Sequence, residues 1–187
     1  RGLKVPRALA GIMPIVVIPL VATLVSGFLM VVVIGKPIAA AQTGLTNWLN
    51  GLSGSNAVLL GLLLGLMMGF DLGGPVNKVA YTFGLAALAS GNVQVMAAVM
   101  AAGMVAPLAM ALASSARKKL FTHAEQENGK AAWLLGLSFI SEGAIPFAAA
   151  DPWRVIVSSL VGSSVTGAIV MGVGSAQRAP HGGVWVL

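Results

Sequence analysis

The sequence predicts an all-α membrane protein built from transmembrane helices and two re-entrant hairpins. Of its 187 residues, 57% are hydrophobic and only 9% are charged, whereas a typical soluble domain carries about 25% charged residues. It also contains 24 glycines, and glycine is more frequent in transmembrane helices than in soluble ones. The charges lie in short clusters between apolar runs, as in cytoplasmic loops. A membrane therefore explains the net charge of +6 better than a nucleic-acid partner does.

The ends of the sequence bear on the domain organisation, and the cysteine content limits the chemistry of the chain. Residue 1 is Arg rather than Met, and residues 184–187 resemble the start of another apolar run. We therefore expect residues 1–187 to form a single membrane-embedded domain that is incomplete at both ends. The absence of cysteine excludes disulfides, thiolate metal sites and cysteine nucleophiles within this chain. We expect neither a cofactor nor a metal ion.

Three apolar segments are long enough to cross a bilayer, which takes about 20 residues. They are residues 8–34, 93–113 and 155–173. Pro14 and Pro19 are expected to kink the first of these helices, which membrane helices tolerate when neighbouring groups satisfy the freed carbonyls. Residues 38–49 are more polar and include Trp48. That composition predicts an interfacial helix lying on the membrane surface.

The first re-entrant hairpin is predicted from two short apolar stretches. Residues 56–70 would form a helix of roughly 22 Å, which is shorter than the hydrocarbon core of about 30 Å. The polar break at 71–78 is rich in glycine and contains a proline, and a second short apolar stretch follows at 79–88. Two short arms joined by such a tip indicate a hairpin that enters the membrane and returns.

The second hairpin is predicted within residues 131–150, where Glu142 and Pro146 interrupt an apolar stretch. The basic residues of the preceding hydrophilic stretch predict a cytoplasmic loop at 114–130. The charged residues on both sides of 131–150 can then be cytoplasmic only if this stretch dips into the membrane and returns. Two broken elements that enter from opposite sides are typical of inverted-repeat transporters.

Glu142 is the main candidate for a site residue among the five acids. Glu125 and Glu127 lie in the hydrophilic stretch, where we expect them to be solvated. Glu142 instead lies between apolar runs, and a carboxylate at membrane depth is unfavourable by several kcal/mol unless it is paired, hydrated or neutralised. We expect it to accept hydrogen bonds from a polyol substrate. The alternative is that it caps the tip of a helix.

The other candidate residues lie at the first break and near the end of the chain. Asp71, Asn77 and Lys78 surround a glycine-rich tip that can approach a ligand closely, although Asp71 and Lys78 could also simply pair across the turn. His123 is expected to be solvated in the hydrophilic stretch. His181 lies between a helix end and a new apolar run, where a hydrogen-bonding role near a translocation path is expected.

Three sequence runs together resemble one family, the membrane component (enzyme IIC) of the fructose-type bacterial phosphotransferase system. They are GGPVNKVAYTF at 73–83, SEGAIPF at 141–147 followed by DP at 151–152, and APHGG at 179–183. The runs occur in the family's order, and the resemblance covers nearly the whole chain. It identifies the sequence as similar to the later portion of that component.

The resemblance implies a sugar permease with substrate-binding residues at Glu142, Asn77, Lys78 and His181. Such a permease binds fructose or a fructose-like sugar and presents it to the phosphocysteine of a partner enzyme IIB domain, so that uptake and phosphorylation are coupled. The family also implies a homodimer that crosses the bacterial inner membrane several times. Glu142 is expected to act as a hydrogen-bond acceptor or general base. The phosphoryl donor must lie on another domain, because this chain has no cysteine and His123 is an unsuitable carrier.

Two other functions remain open on the sequence alone. An ion-coupled secondary transporter of a small polar solute would also need broken helices and intramembrane carboxylates. A structural or pore-forming membrane segment without catalysis would not depend on Glu142. The basic stretch at 117–130 is a candidate docking surface for the phosphoryl-carrying domain, or it serves only as an orientation signal.

Overall fold

The computed structural model describes residues 12–37, 39–40, 43–44, 47 and 56–186, and this part of the chain is helical and contains no strand. The chain divides into two compact units, Arg1–Leu45 and Thr46–Leu187. The predicted interfacial helix at 38–49 lies largely outside the described residues. The all-helical class predicted from composition is confirmed for the described part.

In the first unit, the structure describes an apolar helical run. A π-helical turn at Met13–Val17 leads into helix α1, Ile18–Phe28, and a second π-helical turn follows at Leu29–Ile34. Pro14 lies within the first π-helical turn, in keeping with the irregularity expected where proline removes a backbone donor. None of the residues of α1 is buried in the structure, as expected for a helix whose apolar surface faces lipid or other membrane helices.

The described residues of the second unit form six α-helices and three 3₁₀ turns. The helices are α2 (Ala57–Phe70), α3 (Pro75–Ala89), α4 (Val93–Ala116), α5 (His123–Leu137), α6 (Ile145–Ala150) and α7 (Pro152–Gly172). The 3₁₀ turns are Lys118–Leu120, Ser141–Ala144 and Gly183–Val186.

Two of the described helices are long and apolar enough to cross a membrane, judged by length and composition. They are α4, with 24 residues, and α7, with 21 residues. At about 1.5 Å per residue both exceed a hydrocarbon core of about 30 Å. The predicted helices at 93–113 and 155–173 are thereby confirmed. Helix α2 has only 14 residues, or roughly 21 Å, as its short apolar stretch predicted.

Helix α4 is the centre of the second unit and packs against α2, α3, α5 and α7. Helices α2 and α7 approach each other especially closely through small residues. A Cβ added at Gly61 would overlap the carbonyl oxygen of Gly167, and one at Gly65 would overlap that of Ser163. Small residues permit this backbone contact, which supplies the van der Waals packing that holds membrane helices together.

The hydrophilic stretch predicted as a loop is helical from His123 onwards. A capping box explains where α5 begins: the Thr122 hydroxyl accepts a hydrogen bond from the Glu125 amide, and the Glu125 carboxylate accepts one from the Thr122 amide at 2.7 Å. These two bonds satisfy amides that have no partner at a helix N-terminus. The position of this segment on the cytoplasmic side stays a prediction.

Candidate functional site

The break between α2 and α3 is a tight turn organised by Asp71. It is shorter than the predicted break at 71–78, because α3 already begins at Pro75. One Asp71 carboxylate oxygen accepts a hydrogen bond from the Val76 amide at 2.6 Å, and the other accepts one from the Asn77 amide at 2.9 Å. Both are amides of the first turn of α3, which lack helical partners. Asp71 therefore stabilises the start of α3 and does not pair with Lys78.

Asn77 connects the two arms of this hairpin. Its side chain is 3% exposed, and its amide nitrogen donates a hydrogen bond of 2.9 Å to the carbonyl oxygen of Met68 near the end of α2. Carbonyls in the last turn of a helix have no intrahelical donor, so this contact satisfies one of them. The buried amide thus fixes the orientation of the first turn of α3.

The second break, between α5 and α6, places Glu142 on a 3₁₀ turn. Helix α5 ends at Leu137, and Phe139 then adopts a φ of +62° while remaining 5% exposed. A left-handed residue just after a helix is usually glycine, because a side chain is unfavourable there. The turn Ser141–Ala144 follows and leads into α6. The predicted interruption at Glu142 is therefore present as a change of helix type and direction.

This 3₁₀ turn is attached to α4 by a hydrogen bond to a backbone carbonyl that a proline leaves without its helical donor. Pro107 lies inside α4 and has no amide hydrogen, so the carbonyl of Gly103 loses its usual helical donor. The hydroxyl of Ser141 donates to that carbonyl oxygen at 2.9 Å, and both groups are buried. The residue immediately before Glu142 is thus anchored on the central helix.

Lys78 and Glu142 meet although they are 64 positions apart in the sequence. The Lys78 Nζ atom lies 3.3 Å from Glu142 Oε1, with the side chains 58% and 44% exposed. Gly73 lies against the same carboxylate: its φ is +106°, and an added Cβ would stand 2.5 Å from Glu142 Oε1. The segment between α2 and α3 and the first turn of α3 therefore contact the Glu142 carboxylate in two ways. The Lys78 ammonium pairs with it, and the backbone of Gly73 packs against it.

His181 reaches the same region from the segment that follows α7. Gln177, which is 7% exposed, stabilises this segment: its backbone amide donates to the Val93 carbonyl at 3.0 Å, and its side-chain oxygen accepts from the Ala179 amide at 2.9 Å. The His181 ring centre lies 4.9 Å from that of Phe139. Residues distant in sequence are thereby brought to one site.

These side chains surround one cavity of about 420 Å³, within the range of about 300–1,000 Å³ that is usual for small-molecule sites. It is lined by Asn77, Lys78, Tyr81, Phe139, Ile140, Ser141, Glu142 and His181. Four of the five predicted site residues lie on this list. The fifth, Asp71, is not a lining residue, because both of its carboxylate oxygens bind backbone amides.

Sequence reasoning missed Tyr81 and Phe139. A detectable signal existed in their spacing: Tyr81 lies three positions after Lys78, on the same face of α3, and Phe139 lies three positions before Glu142. Tyr81 is also the only tyrosine of the chain. In an apolar sequence, however, an aromatic residue near a charge is usually read as packing, and only the position of the side chain at the cavity distinguishes the two roles.

The cavity can bind a polar, uncharged molecule. The Glu142 carboxylate accepts hydrogen bonds, the Lys78 ammonium donates them, and the Asn77 amide and His181 imidazole can each contribute a polar atom. This donor and acceptor set suits hydroxyl groups.

Comparison with known proteins gives one consistent result. A family model described as "Phosphotransferase system, EIIC" matches residues 2–163. The chain is 54% identical over 185 residues to the PTS system fructose-specific EIIB'BC component of Escherichia coli strain K12, covering 99% of this chain and 33% of that protein. It is 45% identical over 182 residues to the fructose permease IIC component of Bacillus amyloliquefaciens, covering 97% of this chain and 60% of that protein.

A third relative is also similar to nearly the whole chain. The PTS system fructose-specific EIIC component of Haloferax volcanii is 47% identical over 184 residues, which cover 98% of this chain and 49% of that protein. The chain thus spans about a third of the length of the Escherichia coli relative and about half or somewhat more of the other two. No solved structure matches the chain significantly.

Proposed function

The chain belongs to the phosphotransferase system EIIC family, and from this premise we propose that it forms the sugar-binding part of a permease for fructose or a fructose-like sugar. Members of this family are inner-membrane proteins of the phosphotransferase system, and the similarity bears out the resemblance drawn from three sequence runs. One structural observation supports the proposal most directly: the carboxylate of Glu142 and the ammonium of Lys78 meet at a cavity of about 420 Å³.

We further propose that the α2–α3 and α5–α6 pairs are the two re-entrant hairpins of an inverted repeat. The support is that α2 is too short to cross the bilayer and that both pairs contain a break next to the same cavity. In this arrangement residues 1–187 are one membrane-embedded domain of a multi-pass homodimer, and residues 114–130 are cytoplasmic. The basic residues of that segment support its orientation.

The proposed chemistry is phosphoryl transfer from a partner enzyme IIB domain to the bound sugar. A sugar hydroxyl oxygen forms a bond to phosphorus, the sulfur–phosphorus bond of a phosphocysteine breaks, and the cysteine leaves as thiolate. The hydroxyl proton passes to the Glu142 carboxylate, which acts as general base. Because this chain has no cysteine, its contribution is to bind and orient the acceptor, which is how most phosphoryl-transfer sites act.

The remaining predicted residues have distinct parts in this proposal. Lys78 donates a hydrogen bond to the sugar and balances the charge of Glu142, while Asn77 and His181 contribute further polar contacts at the cavity wall. Asp71 acts indirectly, since it fixes the first turn of α3 and with it the positions of Asn77 and Lys78. The ion-coupled transporter is not favoured, because the relatives described above are named as phosphotransferase components.

The first test is sugar phosphorylation by the full-length protein, supplied with phosphorylated enzyme IIB domain, for the native protein and for Glu142→Gln. We expect the turnover to fall at least tenfold. The amide cannot take the proton, and it replaces a charge-assisted hydrogen bond worth roughly 1.5–3 kcal/mol.

Glu127→Gln is the matched control. It makes the same chemical change at an exposed carboxylate that pairs only with Lys130, at 2.7 Å, on α5. The control should retain native turnover. Native turnover in Glu142→Gln would remove Glu142 from the site and contradict the proposed mechanism.

A further inference from the structure

The cavity has an aromatic wall, of which the proposed polar contacts use only the His181 imidazole. Tyr81, Phe139 and His181 all line it. The ring centres of Tyr81 and Phe139 are 6.0 Å apart, and those of Tyr81 and His181 are 6.2 Å apart with the rings nearly perpendicular. Together with the 4.9 Å between Phe139 and His181, these distances make the three rings one packed aromatic cluster.

On each of the two broken elements, an aromatic residue lies three positions from the charged residue of the pair. On α3, Tyr81 follows Lys78 by three positions, so the two side chains leave the same helix face. At the second break, Phe139 precedes Glu142 by three positions. Each of the two broken elements therefore supplies one ring and one charge to the cavity.

Phe139 is placed in the wall against a backbone preference. Its φ of +62° lies in the left-handed region, where glycine would be favoured by about 1 kcal/mol or more. The ring packs against the backbone of Gly103, since a Cβ added there would fall on it, and against His181. Strained residues of this kind concentrate at functional sites.

Tyr81 has a hydroxyl group with no hydrogen-bond partner among the described residues, and its side chain is only partly buried. A tyrosine in a packed interior normally finds a partner for this group. Here the ring contacts the rings of Phe139 and His181, and the partly exposed side chain lines the cavity, where a ligand can reach it.

We infer that Tyr81, held in place by the buried ring of Phe139, determines which sugars bind, because the apolar C–H face of the sugar ring stacks on the tyrosine ring while its hydroxyl groups meet Lys78 and Glu142. This inference rests on the proposed function. A cyclic sugar has a polar rim and an apolar face, and binding sites combine aromatic walls with a few placed polar groups for such molecules. An acyclic polyol carries the same hydroxyl groups but has no rigid apolar face to stack.

The test measures KM and kcat for fructose phosphorylation by the full-length protein with saturating phosphorylated enzyme IIB domain. Tyr81→Ala and Tyr81→Leu should raise the KM about five- to tenfold and change kcat less than threefold. Tyr81→Phe keeps the ring face and should stay within twofold of the native KM. Phe139→Leu, which keeps apolar volume without a ring, should also raise the KM.

A competition measurement separates stacking from a general effect on the fold. Mannitol, an acyclic hexitol, should inhibit the native protein and Tyr81→Leu with nearly equal constants, because it does not stack. Trp153→Ala is the control for loss of an aromatic side chain, since Trp153 is 79% exposed and does not line the cavity. It should keep the native KM.

The possible failures are distinguishable. A native KM in Tyr81→Leu, or an equal loss in Tyr81→Phe and Tyr81→Ala, would overturn the inference while leaving the proposed function intact. Absence of fructose phosphorylation by the native full-length protein would instead contradict the proposed function itself.

Discussion

Pro107 influences the candidate site although it does not line the cavity. As a proline inside α4 it leaves the Gly103 carbonyl without an amide donor, and the buried hydroxyl of Ser141 takes that place at 2.9 Å. Ser141 precedes Glu142 in the chain, so this hydrogen bond helps to fix the position of the Glu142 backbone. A helix irregularity that would weaken an isolated helix here provides an attachment point for the turn that carries Glu142.

Substitution of Ser141 and Pro107, singly and together, tests this connection. Ser141→Ala leaves a buried carbonyl unsatisfied, which is unfavourable by about 1–3 kcal/mol, so both thermal stability and sugar phosphorylation should fall. In the double variant with Pro107→Ala, the new alanine amide can bond Gly103 again. Stability should recover in the double variant while phosphorylation stays low, because the turn is still detached.

The readouts are the melting temperature in detergent and the turnover of the full-length protein. Pro107→Ala alone is the control for the helix change and should leave the melting temperature near or above the native value. If phosphorylation in the double variant recovered together with stability, Ser141 would have no role in positioning Glu142.

At the scale of whole elements, the two breaks beside the cavity are stabilised in different ways. The α2–α3 turn is local: Asp71 caps the amides of the helix that follows within six positions. The turn after α5 depends on α4, through Ser141 and through the packing of Phe139 against Gly103. The start of α5 is again local, because Thr122 and Glu125 bond each other's amides.

The capping box at the start of α5 predicts a local and pH-dependent effect. The hydrogen bonds that Glu125 accepts from the Thr122 side chain and backbone lower the pKa of this exposed carboxyl. A carboxyl with a lowered pKa in the folded state contributes stability above the unfolded pKa, about 4.3, and loses it as the pH falls through the folded pKa. Thr122→Ala should remove about 1 kcal/mol of capping.

Hydrogen–deuterium exchange of the amides at 122–126 measures this effect. At pH 7 the variant should exchange about fivefold faster than the native protein, and the difference should shrink as the pH is lowered below 4, after correction for intrinsic rates. Glu127→Gln is the control, because the Glu127 carboxylate bonds the Lys130 side chain rather than an amide. A difference that does not change with pH would exclude Glu125 as the titrating group.

At the scale of the whole molecule, the proposed function raises the question of what drives sugar uptake. The family and the relatives favour phosphorylation as the driving force, whereas an ion-coupled transporter would use a sodium or proton gradient. The two mechanisms differ in the product that is released on the inner side of the membrane. This product is a sugar phosphate in the first case and unmodified sugar in the second.

Vesicles that contain the full-length protein distinguish these mechanisms. Without a phosphorylated enzyme IIB domain and its donor proteins, we expect no accumulation of fructose, with or without an ion gradient. With the phosphoryl donors inside, fructose phosphate should accumulate, and ionophores should not reduce it. Gradient-driven accumulation of unmodified fructose would contradict the proposed function.

The sequence alone determined the class of the protein, its two long helices and four of the eight residues that line the cavity. Helix length and apolar composition are local properties, so they predicted α4 and α7, and the rarity of polar groups in an apolar chain singled out Glu142, Asn77, Lys78 and His181. It could not determine which of these groups meet. The pairing of Lys78 with Glu142 and the aromatic contacts of Tyr81 with Phe139 and His181 depend on contacts between distant segments. Such contacts are set by how the helices pack around α4, where close approach of backbones decides which side chains share a cavity.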